Sequence, residues 1–183
     1  MTRLVPDEVI LGLLKAQPTH GYDLLSQFQS RDQLGRIWNM STSQLYAVLK
    51  RLEDSGAIEG CQIDVEDAPP RVVYTISESG ENQLTAWLLD PDPPTSIHRI
   101  RVLFLSRIYI ARLLDEPVDQ ILTRQKKVCE KQLQNLKNER EHVNYLFESL
   151  TLDYIIGQLN AVISWLDHCR KELSVDVPFI KEN

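Results

Sequence analysis

The chain has 183 residues, of which 43% are hydrophobic, and it carries a formal net charge of −6. This length allows one large or two small globular domains, and no apolar run approaches the roughly 18 residues of a membrane span. The N-terminus lacks a signal-peptide pattern, and the three widely spaced cysteines (Cys61, Cys129 and Cys169) indicate neither a disulfide framework nor a zinc site. We therefore expect a cytoplasmic protein without a metal or other cofactor.

The charge is distributed unevenly along the chain. Residues 1–90 contain 7 Lys/Arg and 13 Asp/Glu, whereas residues 91–183 contain 13 of each. Proteins bind nucleic acid largely through cations that replace counterions on the phosphates. Any DNA contact of the N-terminal half must therefore come from a local basic face, which a dimer would present twice.

Two amphipathic helices are predicted at the start of the chain. The first begins at Pro6 and Asp7 and ends before Pro18, and the second follows a turn at residues 19–21. Trp38 comes after them and is expected to fill the core between helices. We expect the buried positions to be Val9, Ile10, Leu13 and Leu14 in the first helix and Tyr22, Leu24, Leu25 and Phe28 in the second.

The third predicted helix, residues 41–54, has two different faces. Ser41 and Gln44 have the spacing of a capping box, and Gly56 suits the left-handed residue that ends a helix. An apolar stripe faces the core, whereas the opposite face is small, polar and cationic; such a face is either simply solvated or enters the DNA major groove. The apolar stripe is Leu45, Val48, Leu49 and Leu52. The outer face is Ser43, Ala47 and Lys50, flanked by Tyr46, Gln44 and Arg51.

A β-hairpin is predicted after the third helix. Residues 57–65 and 71–78 are rich in β-branched and aromatic residues, and the acidic sequence EDAPP separates them. Three helices followed by a hairpin form the arrangement of a winged helix-turn-helix domain, in which the hairpin lies beside the DNA groove.

Three motifs resemble the PadR-like family of transcriptional regulators: HGYDL at residues 20–24, LYAVLKRLEDSGAIE at 45–59 and PPRVVYTISESG at 69–80. The resemblance covers much of residues 8–90. It implies that Ser43, Tyr46 and Lys50 lie on the recognition helix and that Arg71 is at the base of the wing. With the capping residues and the neighbouring cation included, the expected DNA contacts are Ser41, Ser43, Gln44, Tyr46, Lys50, Arg51 and Arg71.

The predicted wing departs from the family pattern. Val72 and Val73 follow Arg71 where a basic residue and an aromatic are usual, and the loop contains Asp64, Glu66 and Asp67. Two alternatives stay open, since Arg71 either contacts DNA or pairs with a loop carboxylate, and Tyr46 either donates to a phosphate or packs against Trp38. We expect weak, dimer-dependent and salt-sensitive binding.

The hairpin is followed by a helix and then by a proline-rich break. Ser77 is the expected N-cap of a helix with Leu84, Trp87 and Leu88 on one side, and Pro91, Pro93 and Pro94 cannot continue it. We therefore predict a winged helix-turn-helix domain at residues 1–90, a linker at 91–95 and a helical domain at 96–183.

The remainder of the chain is predicted to be helical. The first helix covers residues 97–114, with solvated arginines at 99, 101, 107 and 112. An unbroken helix is predicted for residues 117–150 and another for 151–173, both with apolar residues at coiled-coil spacing. The fold class is thus mostly α with a small β-hairpin. We expect a homodimer, as PadR-like proteins form, over a monomeric bundle, through Leu136, Val143, Leu150, Ile155, Leu159, Val162 and Leu166.

The expected function is that of a transcriptional regulator, most simply a repressor, whose homodimer binds a pseudo-palindromic site in double-stranded DNA. The alternative is a winged-helix protein-interaction module with little DNA affinity. No phosphate loop, nucleophile elbow or metal motif indicates an enzyme. The family resemblance implies a possible small-molecule effector, and its pocket residues, which are otherwise core, would be Trp87, Phe104, Tyr109 and Trp165.

Overall fold

A computed structural model describes residues 4–65 and 68–174, without the side chains at positions 64, 65 and 68–70. It has mostly helices and one small antiparallel sheet, as predicted. None of the helices within the described residues is long and apolar enough to cross a bilayer.

The N-terminal part consists of helices packed with one three-stranded sheet. Its strands are β1 (Thr19–His20), β2 (Ile58–Val65) and β3 (Ala68–Ile76), in the order β1-β3-β2, and β2 and β3 form the predicted hairpin. The unpredicted strand β1 pairs Thr19 with Tyr74 and His20 with Val73, and it is too short for any periodicity to reveal it. The elements are α1 (Asp7–Ala16), β1 (Thr19–His20), α2 (Gly21–Gln29), a 3₁₀ turn (Leu34–Arg36), α3 (Thr42–Asp54), β2 (Ile58–Val65), β3 (Ala68–Ile76) and α4 (Glu78–Leu88).

The predicted helix caps are confirmed. The Ser41 hydroxyl accepts a hydrogen bond from the Gln44 backbone N–H, and the Gln44 side chain accepts one from the Ser41 backbone N–H. Gly56 follows α3 with φ of 71°, and Ser77 caps α4 through the Gly80 backbone N–H. These local signals fix where α3 begins and ends.

The prediction for α2 was wrong at one position. Leu24, Leu25 and Phe28 are buried, but Tyr22 is 75% exposed. At 100° per residue, Tyr22 lies about 110° from the centre of the stripe formed by the other three, so it belongs to the outer face.

The C-terminal part begins with one continuous helical segment that includes a π turn, and ends with two long helices. Its elements are α5 (Ile97–Arg99), the π turn (Ile100–Phe104), α6 (Leu105–Leu113), α7 (Val118–Glu141) and α8 (Leu146–Leu173). The prediction of one unbroken helix over 117–150 was wrong, because α7 ends at Glu141. Antiparallel helices need a loop of about two to five residues. Residues 142–145 supply it without a glycine or proline to mark it in the sequence.

The long helices pack on each other within one protomer. Leu136 of α7 and Leu159 and Leu166 of α8, all expected at the dimer interface, are buried in this core. Leu150 and Ile155 are 57% and 37% exposed, respectively. The predicted seam is therefore largely the contact between α7 and α8, and three of its leucines are not available to a second copy.

The helical part also packs closely on the winged part. A Cβ added at Gly12 of α1 would lie 2.4 Å from Cγ2 of Ile110 in α6. The Trp38 indole N–H donates to the buried Ser106 hydroxyl at 2.9 Å, and Trp38 is half-buried as a core residue. The two parts therefore share one hydrophobic core despite the prolines between them.

Side chains of α6 and α7 hold the proline-rich segment. Arg107 forms an ion pair with Asp90 at 2.8 Å, and Gln125 donates to the Pro94 carbonyl at 3.0 Å. Arg124 donates to the Leu89 carbonyl. The expectation that Arg107 is solvated was wrong, since its side chain is only 4% exposed. These contacts restrain the segment that was predicted to be a linker.

Candidate nucleic-acid interface

The outer face of α3 is free to meet a ligand. Leu45, Val48, Leu49 and Leu52 anchor the opposite face in the core. Ser43, Tyr46, Ala47 and Lys50 are exposed, and Tyr46 is 48% exposed. Tyr46 thus belongs to the outer surface and not to a core contact with Trp38. The face combines two hydroxyls, a methyl group and an ammonium, which suit base edges and phosphates.

The expected contacts at the start of α3 are already engaged within the protein. The Ser41 hydroxyl lies 3.1 Å from both the Ser43 hydroxyl and the Gln44 amide oxygen. Because Ser41 and Gln44 cap the helix, their main structural effect is to fix its first turn. The Gln44 amide nitrogen has no such role in the cap.

The Arg51 side chain pairs with a residue of α1 and does not contribute an unpaired cation to the outer face of α3. Its Nε donates to Asp7 Oδ2 at 3.1 Å, and its Nη2 pairs with Asp7 Oδ1. This bidentate hydrogen bond raises the pKa of Arg51, although burial opposes the shift. Asp7 neutralises one of the two cations expected on α3, which leaves Lys50 as the cation of the exposed face.

Arg71 lies on β3 and pairs with Ile63 of β2 within the hairpin. It is exposed and lines an open cleft of about 650 Å³ together with Tyr46 of α3 and residues 20–23. Asp64, Glu66 and Asp67, the expected competitors of Arg71, lie outside the side chains that the structure describes. The structure therefore brings Tyr46 and Arg71 to one surface, with Lys50 farther along the same helix.

Sequence reasoning missed two residues of this surface. The cleft is also lined by His20 and by the exposed Tyr22. The His20 Nδ1 lies 3.1 Å from the Val72 carbonyl oxygen, so a proton on Nδ1 ties β1 to β3. The HGYDL motif contains both residues, but a large aromatic ring close to two leucines is more readily assigned to the core than to a surface.

A separate apolar cavity lies between the two parts of the chain. Its volume is about 370 Å³, and its walls include Ile37, Phe104, Tyr109 and Trp165. The Phe104 and Trp165 rings meet edge to face, with centroids 5.6 Å apart. Three of the four expected effector residues thus share one cavity.

Trp87 does not join that cavity. Its ring lies under the guanidinium of Arg107, whose central carbon is 5.3 Å from the ring centroid, so Trp87 packs against the cation that pairs with Asp90. Within the described residues, no group of three or more His, Cys, Asp or Glu side chains is placed to hold a metal.

Comparison with known proteins bears directly on the winged part. The family model described as "Transcriptional regulator PadR-like family" matches residues 10–86, and the model "Virulence activator alpha C-term" matches residues 100–174. The negative transcriptional regulator PadR of Bacillus subtilis (strain 168) is 31% identical over 133 residues, which are 67% of this chain and 69% of that protein.

Two further matches have lower identity. A probable transcriptional regulator of Mycobacterium tuberculosis is 28% identical over 91 residues, covering 50% of this chain and 47% of that protein. The crystal structure of Bacillus subtilis PadR in complex with operator DNA is 25% identical, covers 90% of this chain and 97% of that one, and has a TM-score of 0.46. On the strength of the Bacillus subtilis sequence match, the chain belongs to the PadR-like family of transcriptional regulators.

Proposed function

We propose that this regulator is a repressor that binds a pseudo-palindromic operator in double-stranded DNA as a homodimer, in the cytoplasm. The observation that carries the proposal is the exposed face of α3, with Tyr46 and Lys50, beside Arg71 of the wing. A relative named as a negative regulator supports repression. The surface has few cations, so duplication of the site in a dimer has to supply much of the affinity.

Lys50→Ala is expected to weaken DNA binding about 5- to 20-fold and to reduce the salt dependence. Lys50 is exposed on α3 and would neutralise one phosphate, so its loss lowers the slope of log affinity against log salt by about 1 per site. The measurement is fluorescence anisotropy of duplexes selected by the protein from a random pool, at several salt concentrations.

Lys131→Ala is the matched control, because Lys131 is exposed on α7 in the helical part. It should leave both affinity and salt slope unchanged. Two outcomes would contradict DNA recognition by α3 and favour the protein-interaction alternative. Either no duplex is bound even at low salt, or both variants bind like the unaltered protein.

The dimer is proposed to form through the exposed side of α8 and not through its buried leucines. Five positions of α8 at spacings of 3, 4, 3 and 4 residues form an outer seam that faces away from α7: Phe147, Leu150, Tyr154, Gly157 and Ala161. Phe147 and Tyr154 are 84% and 66% exposed. This spacing is that of a helix that packs against another helix.

The two C-terminal positions of the outer seam, Gly157 and Ala161, have small side chains. Nothing lies within 4 Å of a Cβ added at Gly157, and Ala161 is also exposed. Small residues allow the backbones of two helices to approach closely, while Phe147, Leu150 and Tyr154 supply apolar area. The apolar patch continues at Tyr145 and Leu146, which are 77% and 74% exposed. A second copy packed by two-fold symmetry would cover the same seam on both chains.

The apolar cavity is proposed as an effector site, with a preference for uncharged or cationic aromatic compounds. Most of its lining is aromatic and aliphatic, and Asp32, Glu172 and His168, which lies 3.8 Å from Glu172, also line it. Two carboxylates against one imidazole disfavour an anion. A compound bound there would contact α6 and α8 together, and would thereby influence the position of the winged part relative to the helical part.

Rhodamine 6G, a cationic aromatic dye, is expected to quench tryptophan emission on binding, whereas the anionic dye anilinonaphthalene sulfonate should bind more weakly. Cys169 also lines the cavity, so Cys169→Phe would fill part of it. This variant is expected to bind the cationic dye at least 5-fold more weakly. Equal binding of the dye by this variant would place the dye elsewhere and contradict the site.

A further inference from the structure

We propose that the cleft between the start of α2, α3 and β3 holds one phosphate of the DNA backbone, and that Tyr22 is a direct donor to it. This inference rests on the proposed DNA-binding function and specifies how an acidic domain binds the phosphate backbone of DNA. The name phosphate cleft is used below for the surface formed by His20, Tyr22, Asp23, Tyr46 and Arg71.

Tyr22 has no structural role that accounts for its position. The side chain is 75% exposed, whereas its helical neighbours Leu24 and Leu25 are buried. None of the hydrogen bonds among the described residues uses its hydroxyl. An exposed phenol on the first turn of a helix can donate to a ligand with little entropy to lose, because it has only two side-chain torsions.

Tyr46 is fixed at the same cleft by a close approach to α2. A Cβ added at Gly21 would lie 3.0 Å from the Tyr46 hydroxyl oxygen and 3.1 Å from its ring. A side chain at position 21 would crowd this ring, which would have to move by a few tenths of an ångström. The recognition helix and the start of α2 therefore bring two phenols to one cleft, one of them on the face that is proposed to meet DNA.

The wing side of the cleft supplies a cation. Arg71 is exposed on β3, and the His20 contact with the Val72 carbonyl joins β1, and hence α2, to that strand. The Thr19–Tyr74 and His20–Val73 pairs add to this connection. Arg71 is thereby kept at a defined distance from the first turn of α2, although it lies on a different element.

The donors of the cleft fit a phosphate better than they fit a carboxylate-rich or apolar partner. The guanidinium of Arg71 and the phenols of Tyr22 and Tyr46 all donate to anionic oxygens, Tyr74 adds a third phenol to the lining, and Tyr46 also belongs to the outer face of α3. A phosphate bound here is therefore next to the groove that α3 would enter. Since Asp23 opposes Arg71 in charge, binding relies on placed hydrogen bonds as well as on charge.

The test combines single-atom changes in the protein with single-charge changes in DNA. Tyr22→Phe keeps the ring and removes the hydroxyl, and we expect it to weaken binding to a selected duplex about 3- to 10-fold, the range for one lost hydrogen bond. Thr85→Val is the matched control: it removes an exposed hydroxyl from α4, and no residue of α4 lines the phosphate cleft. It should bind DNA like the unaltered protein.

Asp23→Asn provides a gain-of-affinity test. Removing the carboxylate from the wall of the phosphate cleft should strengthen DNA binding about 2- to 5-fold, because one like-charge repulsion is lost. A purely structural role for this residue predicts no gain, since Asp23 Oδ2 accepts a hydrogen bond from the Thr19 hydroxyl at 3.2 Å.

Duplexes with a single neutral methylphosphonate at successive positions identify the phosphate. In each half-site, a methylphosphonate at one position should weaken DNA binding by the unaltered protein. For Tyr22→Phe, the same methylphosphonate should change the affinity by at most half that fold-change. If Tyr22→Phe binds like the unaltered protein while Lys50→Ala binds weakly, the cleft proposal fails and DNA binding by α3 stands. If the unaltered protein binds no duplex at low salt, both proposals fail.

Discussion

Leu150→Glu is expected to convert the proposed homodimer into a monomer and to reduce operator affinity at least 100-fold. Leu150 lies at the centre of the large apolar residues of the outer seam and is 57% exposed within one chain. Two symmetry-related carboxylates at this seam would have to be buried close together without partners. Loss of the dimer also removes the gain in affinity that two linked recognition helices provide.

Sedimentation equilibrium at micromolar concentration measures this change as a fall in mass from twice 21.1 kDa to 21.1 kDa. The monomer should stay folded, since an exposed position tolerates glutamate within about 0.5 kcal/mol. Asn160→Glu is the control, because this exposed position lies about 100° around α8 from the outer seam. An unaltered protein of 21.1 kDa, or a dimeric Leu150→Glu variant, would contradict the proposed interface.

Asp90→Ala is expected to lower the free energy of unfolding by about 3 kcal/mol, whereas Arg107→Met should change it by less than about 1 kcal/mol. The Arg107 side chain is 4% exposed, and burial lowers the pKa of Arg107 in spite of Asp90. Removing Asp90 leaves a buried cation without its counterion. Methionine removes the charge and keeps much of the packing against Trp87, so it avoids that penalty.

Urea unfolding at one fixed protein concentration checks the difference between the two variants, because the stability of the proposed dimer would depend on concentration. Arg101→Met is the control, since Arg101 is exposed on the same helical segment and should stay within about 0.5 kcal/mol. The Arg107 Nε is buried and has no hydrogen-bond partner among the described residues, which adds to the cost of the native cation. Equal losses for Asp90→Ala and Arg107→Met would show that packing, and not charge, dominates here.

Local signals predicted the winged part well. The capping box at Ser41, the left-handed Gly56 and the Ser77 cap each act within a few residues, so the sequence contains the whole interaction. The apolar stripe of α3 is equally local. The residue pattern of α3 is therefore sufficient to identify its outer face as a surface.

The errors arose where distant segments decide the outcome. The pairing of Arg51 with Asp7 of α1, 44 residues away, was not foreseen, and the expected DNA contact of Arg51 stays a prediction. Arg107 was expected in solvent, but the proline-rich segment folds over it and supplies Asp90. No spacing within one helix reveals such a partner.

The long helices show a different kind of ambiguity. An apolar repeat of four and three residues indicates that one face of a helix packs against another helix. It does not indicate whether that second helix belongs to the same chain or to another copy. Leu159 and Leu166 are covered by α7 of the same protomer, and the outer seam at Phe147 and Leu150 is the side still exposed. The turn at residues 142–145 decides which face of α8 packs on α7 and which face remains as the outer seam. No glycine or proline marks this turn in the sequence.

Hydroxyl-radical footprinting on DNA fragments that cross-link to the protein in its own cells tests the central claim most directly. A two-fold dimer with one α3 in each of two major grooves should protect two symmetry-related segments, with centres about 10 base pairs, or a multiple of this, apart. Lys50→Ala should weaken protection in both segments equally. Protection of a single unrepeated segment, or recovery of no DNA above background, would contradict the account.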